Sequence, residues 1–198
     1  MAFITEWVMP TGNFTLPLRS GYIYNMDVDF GDGSAPVHVA TYNDANATHN
    51  YTISGTYQIS ITGTCQAWYI NNISAIRLKL TKVIDWGSVG FTTQGLTYAF
   101  YGCDNLNSLP NSSISVTVNI TSLDYMFYKC VGLPYTAVPG NIFALFSNVT
   151  SCAGLFNGCS SFTSVNAGIF DTLVTCWKFQ SVFQACINLI TTPNGLFR

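Results

Sequence analysis

Leu96-Thr-Tyr-Ala-Phe-Tyr-Gly-Cys103, Leu123-Asp-Tyr-Met-Phe-Tyr-Lys-Cys130, Cys152-Ala-Gly-Leu-Phe-Asn-Gly-Cys159 and Phe179-Gln-Ser-Val-Phe-Gln-Ala-Cys186 are four copies of one pattern, each closing on Phe-x-x-Cys. The four cysteines are 27, 29 and 27 residues apart. That period holds one small supersecondary unit but not an independent domain. Such units bury their apolar faces only against one another, so the second half of the chain is expected to be a stack. Within a copy the apolar residues fall at i, i+4 and i+7, the face of a short helix. The expected repeat core is Phe100, Cys103, Phe127, Cys130, Phe156, Cys159, Phe183 and Cys186. Leu106, Leu133, Phe162 and Leu189, three residues past each cysteine, enter the same core. Turn signals follow at Pro110, Pro139 with Gly140, Gly168, and Pro193 with Gly195. The unit therefore reads as a short helix, a tight turn and a brief extended piece, the last being the strand-like I-S-V-T-V-N-I of 114–120 in the first copy.

Upstream of the repeats the period changes to two. Tyr22, Tyr24, Met26, Val28 and Phe30 alternate with polar residues, and Tyr57, Ile59 and Ile61 do the same, which predicts strands. The turn Gly31-Asp-Gly-Ser34 closes the first of them; its glycines accept positive φ and Asp32 can hold the turn through backbone hydrogen bonds. Ile76, Leu78 and Leu80, alternating with Arg77 and Lys79, predict a further strand within 73–84, and Trp86 is expected to cover the open end of the stack. The expected organisation is a small β-sandwich over 1–70 followed by the stack over 71–198.

Charged residues make up 8% of the 198, against about 25% in ordinary domains. The seven Lys and Arg are scattered and the net charge is −2, which excludes a phosphate-binding stripe and hence nucleic acid. No apolar run approaches the length of a membrane span, so no membrane insertion is expected. Two histidines and few acids in the repeats leave no nucleophile–base constellation and no paired carboxylates; no enzyme activity, metal or cofactor is expected. Asp27, Asp29 and Asp32 invite a calcium reading, but the closing Glu of a calcium loop is missing, and structural turn carboxylates are the alternative. The in-register cysteines read as a column of buried thiols, with disulfides between neighbouring coils as the alternative; Cys152 and Cys176 suggest a second, shorter column.

Residues 27–34 (D-V-D-F-G-D-G-S), 49–51 (H-N-Y) and 55–61 (G-T-Y-Q-I-S-I) resemble the signature of polycystic-kidney-disease (PKD) type immunoglobulin-like domains, with Asp29, Gly31, Asp32 and Gly33 at the characteristic turn and Phe30 where that family has Trp. The opening F-I-T-E-W of 3–7, D-W-G-S of 85–88 and the repeats resemble the BspA-like leucine-rich-repeat surface proteins. The resemblance implies a mainly β fold with short helices: a small Ig/PKD-like sandwich followed by an atypical leucine-rich-repeat solenoid. It also implies a surface adhesion or binding module. The amino terminus shows no basic region followed by an apolar run. Taken as a complete chain, this points to a bacteriophage virion protein, a head decoration, fibre or tail-tip component, released by lysis. Its expected partners are other virion proteins or further copies of itself, and a host surface glycan or protein. A bacterial cell-surface adhesin is the alternative. The last residues, Gly195-Leu-Phe-Arg198, stop partway into a further unit, so Phe197 is expected to be covered by a partner or by the chain's own final turn.

Overall fold

Buried Tyr24, Met26 and Val28 alternate with exposed Asn25, Asp27 and Asp29, and this period-two pattern makes 24–29 a strand with one wet face. The computed structural model, which describes residues 1–114, 120–194 and 196, has seven strands, all before residue 86. They are β1 (Phe3–Met9), β2 (Gly12–Thr15), β3 (Tyr24–Asp29), β4 (Val37–Val39), β5 (Thr48–Tyr51), β6 (Gly55–Cys65) and β7 (Leu80–Asp85). Five form one antiparallel sheet in the order β4-β3-β6-β1-β7, and β2 pairs with β5 in a second. β1 lies opposite β6 with Phe3 facing Ile61 and Trp7 facing Tyr57; β3 meets β6 with Val28 facing Ile61. Trp7 packs edge-on against Phe14 at 5.0 Å between the two sheets, and its Nε1 donates to buried Thr5 Oγ1 at 2.7 Å.

The aromatic core continues without a break into the repeats. Phe3 stacks on Trp86, Trp86 meets Phe100 at 6.0 Å, and Phe100, Phe127, Phe156 and Phe183 follow in parallel at 5.4, 5.6 and 5.9 Å. Each such pair contributes about 0.5–1.5 kcal/mol beyond its buried area.

The backbone of the repeats sends alternate amides in two directions. Ala99 and Cys103 donate back to the Leu96 and Phe100 carbonyls, closing four-residue turns whose third residues, Tyr98 and Gly102, have positive φ as a type II turn requires. Tyr98, Phe100 and Gly102 instead donate across to Asp124, Met126 and Tyr128 of the next copy. Tyr125, Phe127 and Lys129 repeat this toward Ala153, Leu155 and Asn157, and Gly154, Phe156 and Gly158 toward Gln180, Val182 and Gln184. The carbonyl side of the first turn is sealed by the amides of Trp68, Ile70 and Asn72. At the other end the amides of Ser181, Phe183 and Ala185 meet no acceptor among the described residues.

This geometry corrects both architectures that the resemblance implied. The sheets stay open and uncurled, and the four-residue pairing of β2 with β5 is too short to close a PKD or immunoglobulin-like sandwich over five strands. Among the described residues no strand ladder or solenoid curvature joins the repeats; besides the turn-to-turn bonds above, their only strand-type pairings are single parallel bridges, Thr93–Ile120, Ser122–Ser151 and Ser151–Lys178. The likeness to BspA-like leucine-rich-repeat proteins therefore does not hold. The short helices are also absent: among the described residues helical structure is limited to two three-residue 3-10 turns. Left-handed Tyr98, Tyr125, Lys129, Ser181 and Ala185 interrupt any α-helix, and the amides that would have closed one are used between turns. The strand expected within 73–84 begins only at Leu80, because the Ile76 and Arg77 amides fold back onto the Ile73 carbonyl. Positions 115–119 of the I-S-V-T-V-N-I segment, and Phe197, lie outside the described residues.

Non-glycine residues in the left-handed region carry about 1–2 kcal/mol of strain each, so the equivalent positions Lys129 and Gly158 make a matched pair. Lys129→Gly is expected to stabilise the fold by about 0.5–1 kcal/mol, net of the looser unfolded chain, and Gly158→Ala to destabilise it by about 1 kcal/mol. Urea unfolding of the two variants checks the opposite signs.

Candidate binding surface

Phe100, Cys103, Phe127, Cys130, Phe156 and Cys159 are all fully buried, Cys186 nearly so, and Phe183 is half-buried on the last turn. The thiols have a defined task there. Cys130, Cys159 and Cys186 donate to the carbonyls of Phe100, Phe127 and Phe156 one copy earlier, at 3.1, 3.2 and 3.1 Å. A small weak donor fits where a turn carbonyl faces a dry column. Burial pushes the Cys103, Cys130 and Cys159 thiols well above their ordinary range, which keeps them protonated and unreactive.

At the turn of 29–34 the Gly31 amide is accepted by Asp29 Oδ1 and the Ser34 amide by Asp32 Oδ1. A side chain at Gly31 would drive its Cβ into the Gln58 carbonyl, whereas Gly33 faces open space. Asp32 Oδ2 also meets His49 Nε2 at 2.7 Å, and the His49 ring lies flat on Phe30 at 4.4 Å. Phe30 thus stands as an aromatic anchor, its carbonyl accepting from the buried Tyr51 hydroxyl. Asp27 turns instead to His38 at 2.8 Å, so the three carboxylates have separate partners. Among the described residues no group of three or more His, Cys, Asp or Glu side chains converges as metal ligands would. Arg77 pairs with Asp104 at 2.6 Å and Lys82 with Glu6 at 2.9 Å. No helix of the described residues is long and apolar enough to cross a membrane.

The most organised exposed chemistry is a strip of half-buried tyrosines along one side of the turns. Tyr98 stacks face to face on Tyr125 at 4.9 Å, Tyr101 meets Tyr128 edge-on at 4.7 Å, and Tyr69 meets Tyr98 edge-on at 6.1 Å. Arg19 extends the strip, its guanidinium 4.7 Å from the Tyr69 ring and 5.5 Å from Tyr22. Lys129 lies 5.6 Å from the Tyr128 ring at the far end. These six phenols have no hydrogen-bond partner among the described residues, so the strip offers flat apolar faces with free hydroxyl rims. Beyond Tyr125 the strip stops, because a side chain at Gly154 would collide with that ring; Asn157 and Gln184 continue the row as a hydrogen-bonded amide pair. A separate shallow cleft of about 330 Å³ lies between Leu16, Leu18, Tyr42, Ile73 and Ile76.

Comparison of the chain with protein-family models, with curated proteins and with solved structures gives no match. The strip itself went unread in the sequence, although the signal was present: the two earlier copies carry Tyr two residues before and one residue after the repeat Phe, and the two later copies carry Gly or Ser and an amide there.

Cys159→Ala removes both a buried sulfur and the donor to the Phe127 carbonyl, and a loss of about 1–2 kcal/mol is expected in urea unfolding. The Ser34 and His49 hydrogen bonds hold the Asp32 carboxyl at about 2, below the roughly 3.9 of an unfolded chain. Its stabilisation is therefore complete above about pH 4 and disappears as pH falls through 2. Thermal unfolding from pH 5 to pH 2 should show a shallower decline in Asp32→Asn than in the parent protein.

Proposed function

We propose that this chain is a non-enzymatic structural and binding protein of a bacteriophage virion that holds host surface glycan along its tyrosine strip. The observation carrying this reading is the row of Tyr69, Tyr98, Tyr101, Tyr125 and Tyr128, rigidly spaced by the turn ladder and flanked by Arg19 and Lys129. Tyrosine supplies large, rigid contact area with a polar rim at low entropic cost, which suits the alternating apolar faces and hydroxyls of a sugar polymer. The turn ladder fixes the rings in place before a ligand arrives, so little ordering is left for binding to bear. Attachment to the particle is assigned to the last turn. There the amides of Ser181, Phe183 and Ala185, without an acceptor among the described residues, accompany exposed Val174, Trp177, Ile187 and Ile190, and a partner chain that presents backbone carbonyls and apolar side chains satisfies both. A second copy docked end to end lacks such an edge, since its own carbonyl side is sealed by Trp68, Ile70 and Asn72.

Mass spectrometry of purified phage particles should find the chain as a stoichiometric component; its recovery in the bacterial envelope and not in particles would show the virion assignment wrong. Tyr125→Ala is expected to weaken binding to polysaccharide extracted from the host surface at least about tenfold, as loss of a central aromatic anchor does. Unchanged binding in Tyr98→Ala and Tyr125→Ala alike would remove the strip from consideration.

A further inference from the structure

Of the seven cysteines, five are fixed in dry surroundings with a neighbouring carbonyl or the aromatic column: Cys65, Cys103, Cys130, Cys159 and Cys186. Cys152 and Cys176 differ. Their sulfurs lie 3.4 Å apart, Cys152 buried and Cys176 half-exposed. The backbone on either side of the pair is tied together, since the Cys152 amide donates to the Lys178 carbonyl and the Trp177 and Lys178 amides donate to the Thr150 carbonyl. The two thiols therefore face each other from adjacent, hydrogen-bonded segments. Disulfide bond length is about 2.05 Å, so the sulfurs need to close by roughly 1.4 Å, within reach of a side-chain rotation at the half-exposed Cys176.

We propose that Cys152 and Cys176 are an oxidation site, forming an intramolecular disulfide that staples the third turn of the stack to the segment entering the fourth. Chemically, Cys176 is the first to react. It is the accessible member, and although its thiol donates to Cys152 Sγ in the structure, its thiolate can accept from the Cys152 thiol 3.4 Å away, which lowers its pKa, whereas the same contact and burial raise that of Cys152. With a small disulfide such as oxidised glutathione, the Cys176 thiolate attacks one glutathione sulfur; a mixed disulfide forms and one glutathione leaves as thiolate. Cys152 then gives up its proton and attacks the Cys176 sulfur, releasing the second glutathione. Two protein thiols are oxidised, one glutathione disulfide is reduced to two thiols, and the two protons pass from the protein to the glutathiones. The staple lies beside Trp177, so it fixes the base of the exposed last turn. The inference stands apart from the glycan reading and does not depend on it.

The test uses the whole purified protein, first reduced and then exposed to oxidised glutathione, with peptide mapping under non-reducing conditions. The expected product is a Cys152–Cys176 cross-linked peptide lighter by two hydrogen atoms, with the other five thiols still alkylated after unfolding. The thermal midpoint should rise by about 5–10 °C, as closing a loop of this length predicts, and return on adding dithiothreitol. Cys152→Ser should stop the sequence at a stable glutathione adduct on Cys176. A persistent adduct on Cys176 in the parent protein, a disulfide joining any other pair, or no oxidation of Cys176 at all would each overturn the proposal.

Discussion

The hydrogen bonds that run from alternate amides of one turn to the carbonyls of the next are the constraint on which the repeat half depends. A backbone amide has one proton. In the first three copies the residues two before, at and two after the central Phe spend theirs on the neighbouring turn, and the intervening residues close turns locally. Pointing alternate amides outward requires left-handed residues at fixed places, and the chain accepts that strain even at Tyr98, Tyr125, Lys129, Ser181 and Ala185. The ladder also has a direction. Its carbonyl end is sealed by 68–72, and its amide end is left on the exposed last turn.

Everything periodic about the side chains follows from this register. Because successive turns superpose, the central Phe residues stack in parallel between 5.4 and 5.9 Å, and Cys130, Cys159 and Cys186 each come to lie under the carbonyl of the preceding copy's Phe. Tyrosines at equivalent outward positions become a strip only because the turns are stacked; in an isolated turn they would be separate exposed rings. The open sheets do a different job. They hold Phe3 against Trp86, which in turn meets Phe100, so the first turn has a finished apolar surface to pack on.

Burial divides the sulfur chemistry of the chain. The thiols of the column are small apolar fillers that also satisfy a carbonyl, and desolvation keeps them protonated. Cys176 lies outside the column, at the junction of the last two turns, where access and a partner sulfur coincide.

The sequence by itself determined that four copies stack, that Phe and Cys face inward in each, and that alternating strands precede them, because burial pattern is a local property of residue type and spacing. It also marked 31–34 as a turn, through glycines whose role is set by their own backbone. What it left open is how the repeated backbone closes its hydrogen bonds. The i, i+4, i+7 spacing fits a helical face and a type II turn pair equally well, and only the presence of a neighbouring turn's carbonyls decides for the latter. The same holds for the sheets. Period two identifies a strand, but whether sheets close into a sandwich depends on how many residues pair, and β2 with β5 pairs too few. The tyrosine strip and the Cys152–Cys176 contact are tertiary in the same sense: residues about 27 and 24 apart become neighbours only once the turn ladder sets the distance between copies.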